Sequence, residues 1–278
     1  MTLIERVQKI ADRLTGTEGR LVAELMQSPR EIALGTSAEF AARIGAHEAT
    51  TSRLARKLGF DSYADFRDHL RAEFLTNGSP SDRVAQTLSG AQEKGFLPLL
   101  IAEEIAALTR LGDYVQDRQI AAAVQLLNRP RVFLFARGNA EALAVLMDRR
   151  LRRMGVATVL LRGDARDLAE QMLTLGKDDA VLLFAFRRQP RDYARIIALA
   201  QQRGAATLAI SGSLGPALAP PPDQLLAAPR SGAREGFQTL TVPMALCNAL
   251  VLALAAERGE AALHMLERLG PLIASFED

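Results

Sequence analysis

The sequence predicts an all-α N-terminal helix-turn-helix domain followed by an α/β doubly wound domain with a five-stranded parallel sheet. Three observations carry this. Residues 2–75 read as helical throughout. A turn-rich break, Thr76-Asn77-Gly78-Ser79-Pro80-Ser81, then ends that pattern. From Arg131 onward, short apolar runs alternate with amphipathic stretches of helix length, the pattern of a parallel sheet covered on both faces.

In chain order, helices are expected at about 2–14, 17–27, 37–44, 47–58 and 62–75. A helical segment should follow from about Asp82 to Tyr114, interrupted near Gly95 and Pro98, and then a shorter helix from Asp117 to Leu127. The strands are the runs VFLFA (132–136), ATVLL (157–161), AVLLFAF (180–186), ATLAIS (206–211) and QLLAA (224–228). Helices at 139–153, 165–174 and 191–203 lie between the first four strands. Right-handed crossovers turn these into a doubly wound sandwich. Long helices at about 236–257 and 260–274 close it. The expected domains are 1–77, a helix-turn-helix domain; 78–127, a helical linker and dimerisation segment; and 128–278, the α/β domain.

The most telling stretch is Thr36 to Phe60, TSAEFAARIGAHEATTSRLARKLGF. Ser37 is a candidate N-cap for its first helix, because a serine hydroxyl can accept an orphan backbone N–H. Phe40, Ala41 and Ile44 give that helix a narrow apolar face. Gly45 suits the left-handed conformation that ends a helix and starts a sharp turn. In the second helix Thr51, Leu54 and Leu58 point inward. Ala49, Ser52, Arg53 and Arg56 point outward, with Lys57 alongside. The second helix of such a pair enters the major groove with its N-terminal residues leading. Arginine can clamp the O6 and N7 of guanine, and serine or threonine can meet base edges or phosphates. A solvated helix hairpin with its cations facing water is the plain alternative.

Composition narrows the field. The chain has 278 residues, 49% hydrophobic and 24% charged, which suits one large or two ordinary globular domains. No stretch reads as a signal peptide, and the apolar run 242–256 is broken by Pro243 and Asn248, so no membrane partner is expected. A single cysteine excludes an intramolecular disulfide and fits a reducing cytoplasm. Cys247 lies in an apolar helix and reads as a small core residue. Three histidines without a Cys/His cluster argue against zinc, and no cofactor is expected. Residues 1–80 hold eleven basic and eleven acidic side chains, so DNA binding would rest on a local patch; residues 49–60 hold three basic groups and no acid.

The stretch EATTSRLARKLGFDSYADFR resembles the end of the N-terminal domain of RpiR/MurR-type bacterial transcription regulators, which carry a run close to ATVSRFARKLGFxGYxEFR. The match covers Ala49, Thr50, Ser52, Arg53, Ala55, Arg56, Lys57, Leu58, Gly59, Phe60, Tyr63, Phe66 and Arg67. Thr51 stands where the family usually has valine, and His47 where a capping serine is common. Residues 115–260 resemble the SIS (sugar isomerase) domain, the usual partner of that N-terminal domain. The resemblance implies a phosphosugar site in two loops, a GxGxS-like turn after the first strand and an SxSGxT-like loop after the third. Here the first reads Ala136-Arg137-Gly138-Asn139-Ala140, with only Gly138 matching. The second reads Ala185-Phe186-Arg187-Arg188-Gln189-Pro190, with none of the serine, glycine or threonine. The phosphate-binding hydroxyls are therefore not carried over.

Arginines take their place. Arg137, Arg162, Arg187, Arg188, and further on Arg230 and Arg234, follow predicted strands. Arginine grips phosphate or carboxylate bidentately. The expected effector site is Arg137, Gly138, Asn139, Arg187 and Arg188, taking a small anionic metabolite such as a sugar phosphate or sugar acid. The alternatives are surface ion-pair arginines around an empty pocket, or a domain that serves only as an oligomerisation scaffold. Catalysis needs a placed base. His264 lies far along the terminal helix, and Glu235 reads as a helix-dipole partner, so no catalytic residue is assigned; a sugar-phosphate isomerase is the runner-up. The expected protein is a cytoplasmic transcription regulator, a repressor by expectation, whose partners are a two-fold double-stranded DNA operator, the anionic effector and further copies of itself. The DNA contacts expected are Ser37 and Lys57 on phosphates, with Glu48, Thr50, Ser52, Arg53 and Arg56 at or near base edges.

Overall fold

A computed structural model describes residues 3–70, 84–85, 87–88, 91, 95–232 and 237–277. Its contacts divide into two compact units. One comprises Met1–Glu103 with Pro216–Ala219 and Gly232–Gln238; the other comprises Glu104–Gly215, Pro220–Ser231 and Thr239–Asp278.

The first unit is built from α1 (Leu3–Ile10), α2 (Gly16–Gln27), α3 (Pro29–Leu34), α4 (Ser37–Ala42), α5 (Glu48–Lys57) and α6 (Tyr63–Leu70). Leu21, Leu25, Ile32, Phe40, Leu54, Phe66 and Leu70 share one core. Burying a leucine side chain stabilises by about 2 kcal/mol, and Leu21 with Leu25 and Phe66 with Leu70 each sit one helical turn apart. Helix α3 was not expected. Six residues are too few to show a period, and its only sequence signal is Ser28-Pro29, with proline in the first turn where it suits a helix start. The helix expected at 62–75 is described over Tyr63–Leu70, and 71–75 lie outside the described residues.

The segment expected to be helical from Asp82 is described continuously only from Gly95. Gly95 adopts φ +81°, and α7 (Phe96–Thr109) begins directly after it. Pro98 falls in its first turn, so it opens the helix rather than interrupting it. The short α8 (Leu111–Tyr114) and α9 (Asp117–Leu127) follow.

The second unit holds β1 (Arg131–Phe135), α10 (Glu141–Arg153), β2 (Ala157–Leu161), α11 (Ala165–Gln171), β3 (Asp179–Ala185), α12 (Tyr193–Gln202), β4 (Ala206–Ser211), β5 (Gln224–Ala227), α13 (Thr241–Arg258) and α14 (Glu260–Glu277). The strands are all parallel, in the order β2-β1-β3-β4-β5. Central β3 is buried at every position, which is why its sequence is a continuous apolar run rather than an alternating one. On one face Val132, Leu134, Leu182, Phe184, Leu208 and Ile210 pack with α9, α10 and α13. The alternate residues meet α11 and α12 on the other face. Arg131 clamps Asp179 through Nε and Nη2, at 3.0 and 2.7 Å, across paired positions of β1 and β3.

Helix α13 is long and apolar enough to cross a membrane by length and composition, contrary to the expectation from Pro243 and Asn248. Its apolar residues have another use: Val242, Leu246, Cys247, Leu250 and Leu254 are buried in the α/β core. Burial raises the Cys247 thiol pKa to about 12, as suits a packing residue.

Candidate nucleic-acid interface and ligand crevice

Helix α4 is capped by Thr36 rather than Ser37. The Thr36 hydroxyl accepts the Glu39 N–H while Glu39 accepts the Thr36 N–H, a reciprocal capping box. Ser37 therefore sits one position inside the helix, and its hydroxyl donates to Glu48 Oε1 at the start of α5. The turn between the helices is closed by Gly45 at φ +66°, with the Ala46 N–H donating to Ala41 O at 2.9 Å. A side chain at Gly45 would strain that left-handed backbone.

His47 supplies the cap that the family's serine would. Its Nδ1 accepts the Ala49 N–H at 3.2 Å. Thr51, in the usual valine position, is 1% exposed, and its hydroxyl donates to Glu48 O at 2.7 Å. Both departures from the family run thus keep the local geometry. The far end of α5 repeats the first turn's device. Gly59 has φ +83°, and the Phe60 N–H reaches Ala55 O at 3.0 Å. Arg6, from α1, donates to the carbonyls of Leu58 and Gly59 at 2.9 Å each and lies 4.4 Å from the centre of the Phe60 ring. It satisfies carbonyls that a helix end leaves orphaned. Nothing in the local pattern around residue 6 announces this contact across more than fifty positions.

The outward face of α5 is as expected. Ala49, Arg53 and Arg56 are exposed, Thr50 and Ser52 half-buried, and Thr51, Leu54 and Ala55 buried. Arg53 donates to the Thr50 hydroxyl at 3.3 Å. Lys57 is placed differently. Its ammonium pairs with Glu18 Oε2 at 2.7 Å and donates to Arg13 O at 2.5 Å, so it braces α5 against α2. Burial alone would raise the Glu18 pKa, but hydrogen bonds from Lys57 and Thr15 outweigh it and hold the carboxyl below its ordinary 4.5. Phe60, Tyr63 and Phe66 also have structural roles. Phe60 and Phe66 meet edge to face at 5.4 Å, and the Tyr63 hydroxyl donates to Thr36 O at 3.3 Å.

In the α/β unit the strand order reverses direction between β1 and β3. Ligands of such sheets bind beyond the carboxyl ends of the strands at that point. Arg137 follows β1 there. It pairs with Asp192 at 3.0 Å, donates to Gly163 O at 3.0 Å and stacks on Phe135. Gly138, at φ +62°, donates its N–H to Glu141 Oε1 at 3.1 Å. Asn139, Arg187, Arg188 and Arg162 are exposed. Arg230, which follows β5, is half-buried with its guanidinium 5.2 Å from the Phe186 ring centre. Its pKa is lowered to about 10, first by burial and then by the charge of Arg187, so the two arginines share one neighbourhood. Arg234 and Glu235 lie outside the described residues. His264 is exposed in α14 and lines a groove of about 670 Å³ with Arg152, Arg153 and Arg268. That groove is near the end of α10 that leads into β2, at the amino ends of the strands and away from the loops above. Among the described residues, no group of three or more His, Cys, Asp or Glu side chains could hold a metal ion.

A helix-turn-helix unit and a doubly wound α/β unit on one chain define the class of two-part regulators that join a DNA-reading module to a metabolite-binding fold. Comparison with known proteins makes the class specific. Residues 1–77 match the helix-turn-helix domain of the rpiR family, and residues 125–253 match the SIS domain. The chain belongs to the RpiR-type family of transcription regulators.

Among curated relatives, an uncharacterised HTH-type transcriptional regulator of Haemophilus influenzae is 24% identical over 76% of this chain and 74% of its own length. The bifunctional protein glk of Paraburkholderia xenovorans is 26% identical over 77% of this chain; the match spans only 33% of that relative. Among solved structures, the sugar isomerase domain of an RpiR transcription factor from Sphaerobacter thermophilus aligns with TM-score 0.57 and 26% identity, covering 63% of this chain and 98% of that one. The Vibrio vulnificus NanR protein complexed with ManNAc-6P shares the fold over 99% of both chains, with TM-score 0.55 and 16% identity.

Proposed function

We propose that this chain is a cytoplasmic, sequence-specific DNA-binding regulator, a repressor in its simplest form, whose SIS domain senses a small anionic metabolite. The observation that carries the DNA half is the α5 surface. Ala49, Ser52, Arg53 and Arg56 face outward from a helix whose cap, C-terminus and inner face are each fixed by named contacts. Glu48, Thr50, Ser52, Arg53 and Arg56 are assigned to base edges and their surroundings. Ser37 and Lys57, expected on phosphates, support the helix through Glu48 and Glu18, so a phosphate at either would compete with those carboxylates. The domain division 1–77, 78–127 and 128–278 is retained for this function.

For the sensing half, the anion site is assigned to Arg137, Gly138, Asn139, Arg187 and Arg188, with Arg230 added. An entering anion competes with Asp192 for Arg137 and with Glu141 for the Gly138 amide. The ligand stated for the Vibrio NanR protein, ManNAc-6P, makes a phosphorylated sugar the first class to test. No enzymatic step is assigned. Paired half-sites supply the specificity that a single short helix lacks, so the regulator acts as a dimer or tetramer. The exposed apolar residues Leu97, Ile101 and Ile105 of α7, and Leu263, Leu272 and Phe276 of α14, are the proposed subunit contacts.

The test is a gel-shift titration on DNA flanking the gene, with and without a panel of sugar phosphates and sugar acids. The expected result is a discrete complex that Arg53→Ala weakens and one anion alters. Binding that is equal on unrelated DNA would overturn the reading.

A further inference from the structure

We infer that Glu48, held by Ser37 and Thr51, reads one cytosine in each operator half-site, and that Ser37 is the positioning residue for that contact rather than a phosphate anchor. The inference rests on the DNA-binding reading above.

Three contacts form one unit. The Ser37 hydroxyl donates to Glu48 Oε1. The Thr51 hydroxyl donates to Glu48 O at 2.7 Å and lies 3.4 Å from Ser37 O. The threonine that replaces the family's valine thus touches the backbone of both partners in the Ser37–Glu48 clasp. A valine could not make either contact. Glu48 is exposed and occupies the first position of α5, the end with which a recognition helix leads.

An ionised carboxylate only accepts hydrogen bonds. Ser37 occupies Oε1, which leaves Oε2 to accept from the DNA. Phosphates repel a carboxylate, so Glu48 is tolerated in the groove only where it finds a donor. In the major groove the donors are the N4 amine of cytosine and the N6 amine of adenine, while guanine and thymine present oxygens. Adenine also carries the N7 acceptor beside its amine, which repels a carboxylate. Cytosine has no acceptor there, so it is the base that fits. Without the Ser37 contact the carboxylate can swing out to water, and the discrimination weakens.

The experiment is selection of full-length protein on random duplexes, followed by sequencing of the bound pool, for the parent and for Glu48→Gln, Ser37→Ala and Ser37→Thr. The parent is expected to enrich two half-sites, each with a cytosine favoured about tenfold at one position. Glu48→Gln should move that position from cytosine to adenine, because glutamine matches the N6 and N7 pair. Ser37→Ala should relax the same position only, and Ser37→Thr should restore it. An unchanged preference in Glu48→Gln overturns the inference. Equal loss on all sequences in Ser37→Ala overturns the positioning role and returns Ser37 to a phosphate. A parent that enriches no sequence overturns the DNA-binding reading, and this inference with it. Circular dichroism melting of each variant separates lost folding from lost reading.

Discussion

The two units of this chain keep their family likeness in opposite ways. In the helical unit the residues that would meet a ligand and those that hold the fold lie in one short run. Arg53 and Arg56 face outward from the same helix whose Leu54 and Ala55 face inward. There the family run is nearly intact, and its two departures keep their roles: His47 caps α5, and the Thr51 hydroxyl is satisfied within its own turn. In the α/β unit the fold is held by strands and helices while ligands are met by loops, so the two can diverge. The sheet is complete, with five parallel strands, yet the loops after β1 and β3 carry arginines where the family resemblance implies hydroxyls. A fold match is therefore strong evidence of chemistry in the first unit and weak evidence in the second.

The comparison can be broken at several points, and the largest effect is expected where packing and reading share a helix. Leu54 is fully buried, so Leu54→Ala should destabilise the helical unit by about 2–5 kcal/mol. Urea unfolding followed by circular dichroism would measure this, and a loss below about 1 kcal/mol would show that α5 is not packed as described. Next, Arg53→Ala should cost about 1–3 kcal/mol of operator affinity and relax base preference, with stability unchanged. Titration against cognate and scrambled duplexes reads both effects.

In the α/β unit the expected effect depends on a ligand. An anion present at about 100 times its Kd should stabilise this unit by about 2.7 kcal/mol. Differential scanning fluorimetry should show that shift in the parent and its loss in Arg187→Ala and Arg230→Ala. No stabilisation by any sugar phosphate or sugar acid would reduce the unit to a scaffold. His47→Leu, which removes the cap acceptor at α5, should cost about 1 kcal/mol, and His47→Ser should recover most of it.

The smallest effect belongs to the Lys57–Glu18 brace. A double-mutant cycle with Lys57→Met and Glu18→Gln should give a coupling of about 0.2–1 kcal/mol, since Lys57 is partly solvated. The Glu18 pKa is lower in the folded state than its ordinary 4.5. The brace therefore contributes fully above that value and is lost as the pH falls through the folded pKa. Acid titration of stability should show a shallower loss below about pH 4.5 in Glu18→Gln than in the parent.

What could be read from the residues follows the same division. The five strands were legible because each is a short apolar run between turn signals, and the observed bounds differ by a residue or so. The recognition helix was legible because its inward and outward residues separate at helical spacing. Local pattern could not reveal contacts between distant positions. Arg6 on the carbonyls of Leu58 and Gly59, Lys57 on Glu18, and Arg137 on Asp192 each join residues many positions apart. Those contacts decide whether a cation is offered to a ligand or spent on the fold. The sequence shows Lys57 and Arg137 as bare cations, whereas the structure pairs each with a carboxylate, with which a ligand would compete. The cap of α4 shifted from Ser37 to Thr36 for a local reason: both carry hydroxyls, and only Thr36 stands three residues before Glu39.

The central claim is that the α5 surface reads a two-fold operator and that an anion at the SIS domain controls it. DNase footprinting on DNA flanking the gene, with and without the panel of sugar phosphates and sugar acids, tests it most directly. The account predicts two protected half-sites about one helical turn apart or a multiple of it, lost in Arg53→Ala and altered by at least one anion. Uniform or absent protection at concentrations where the protein is folded would contradict it.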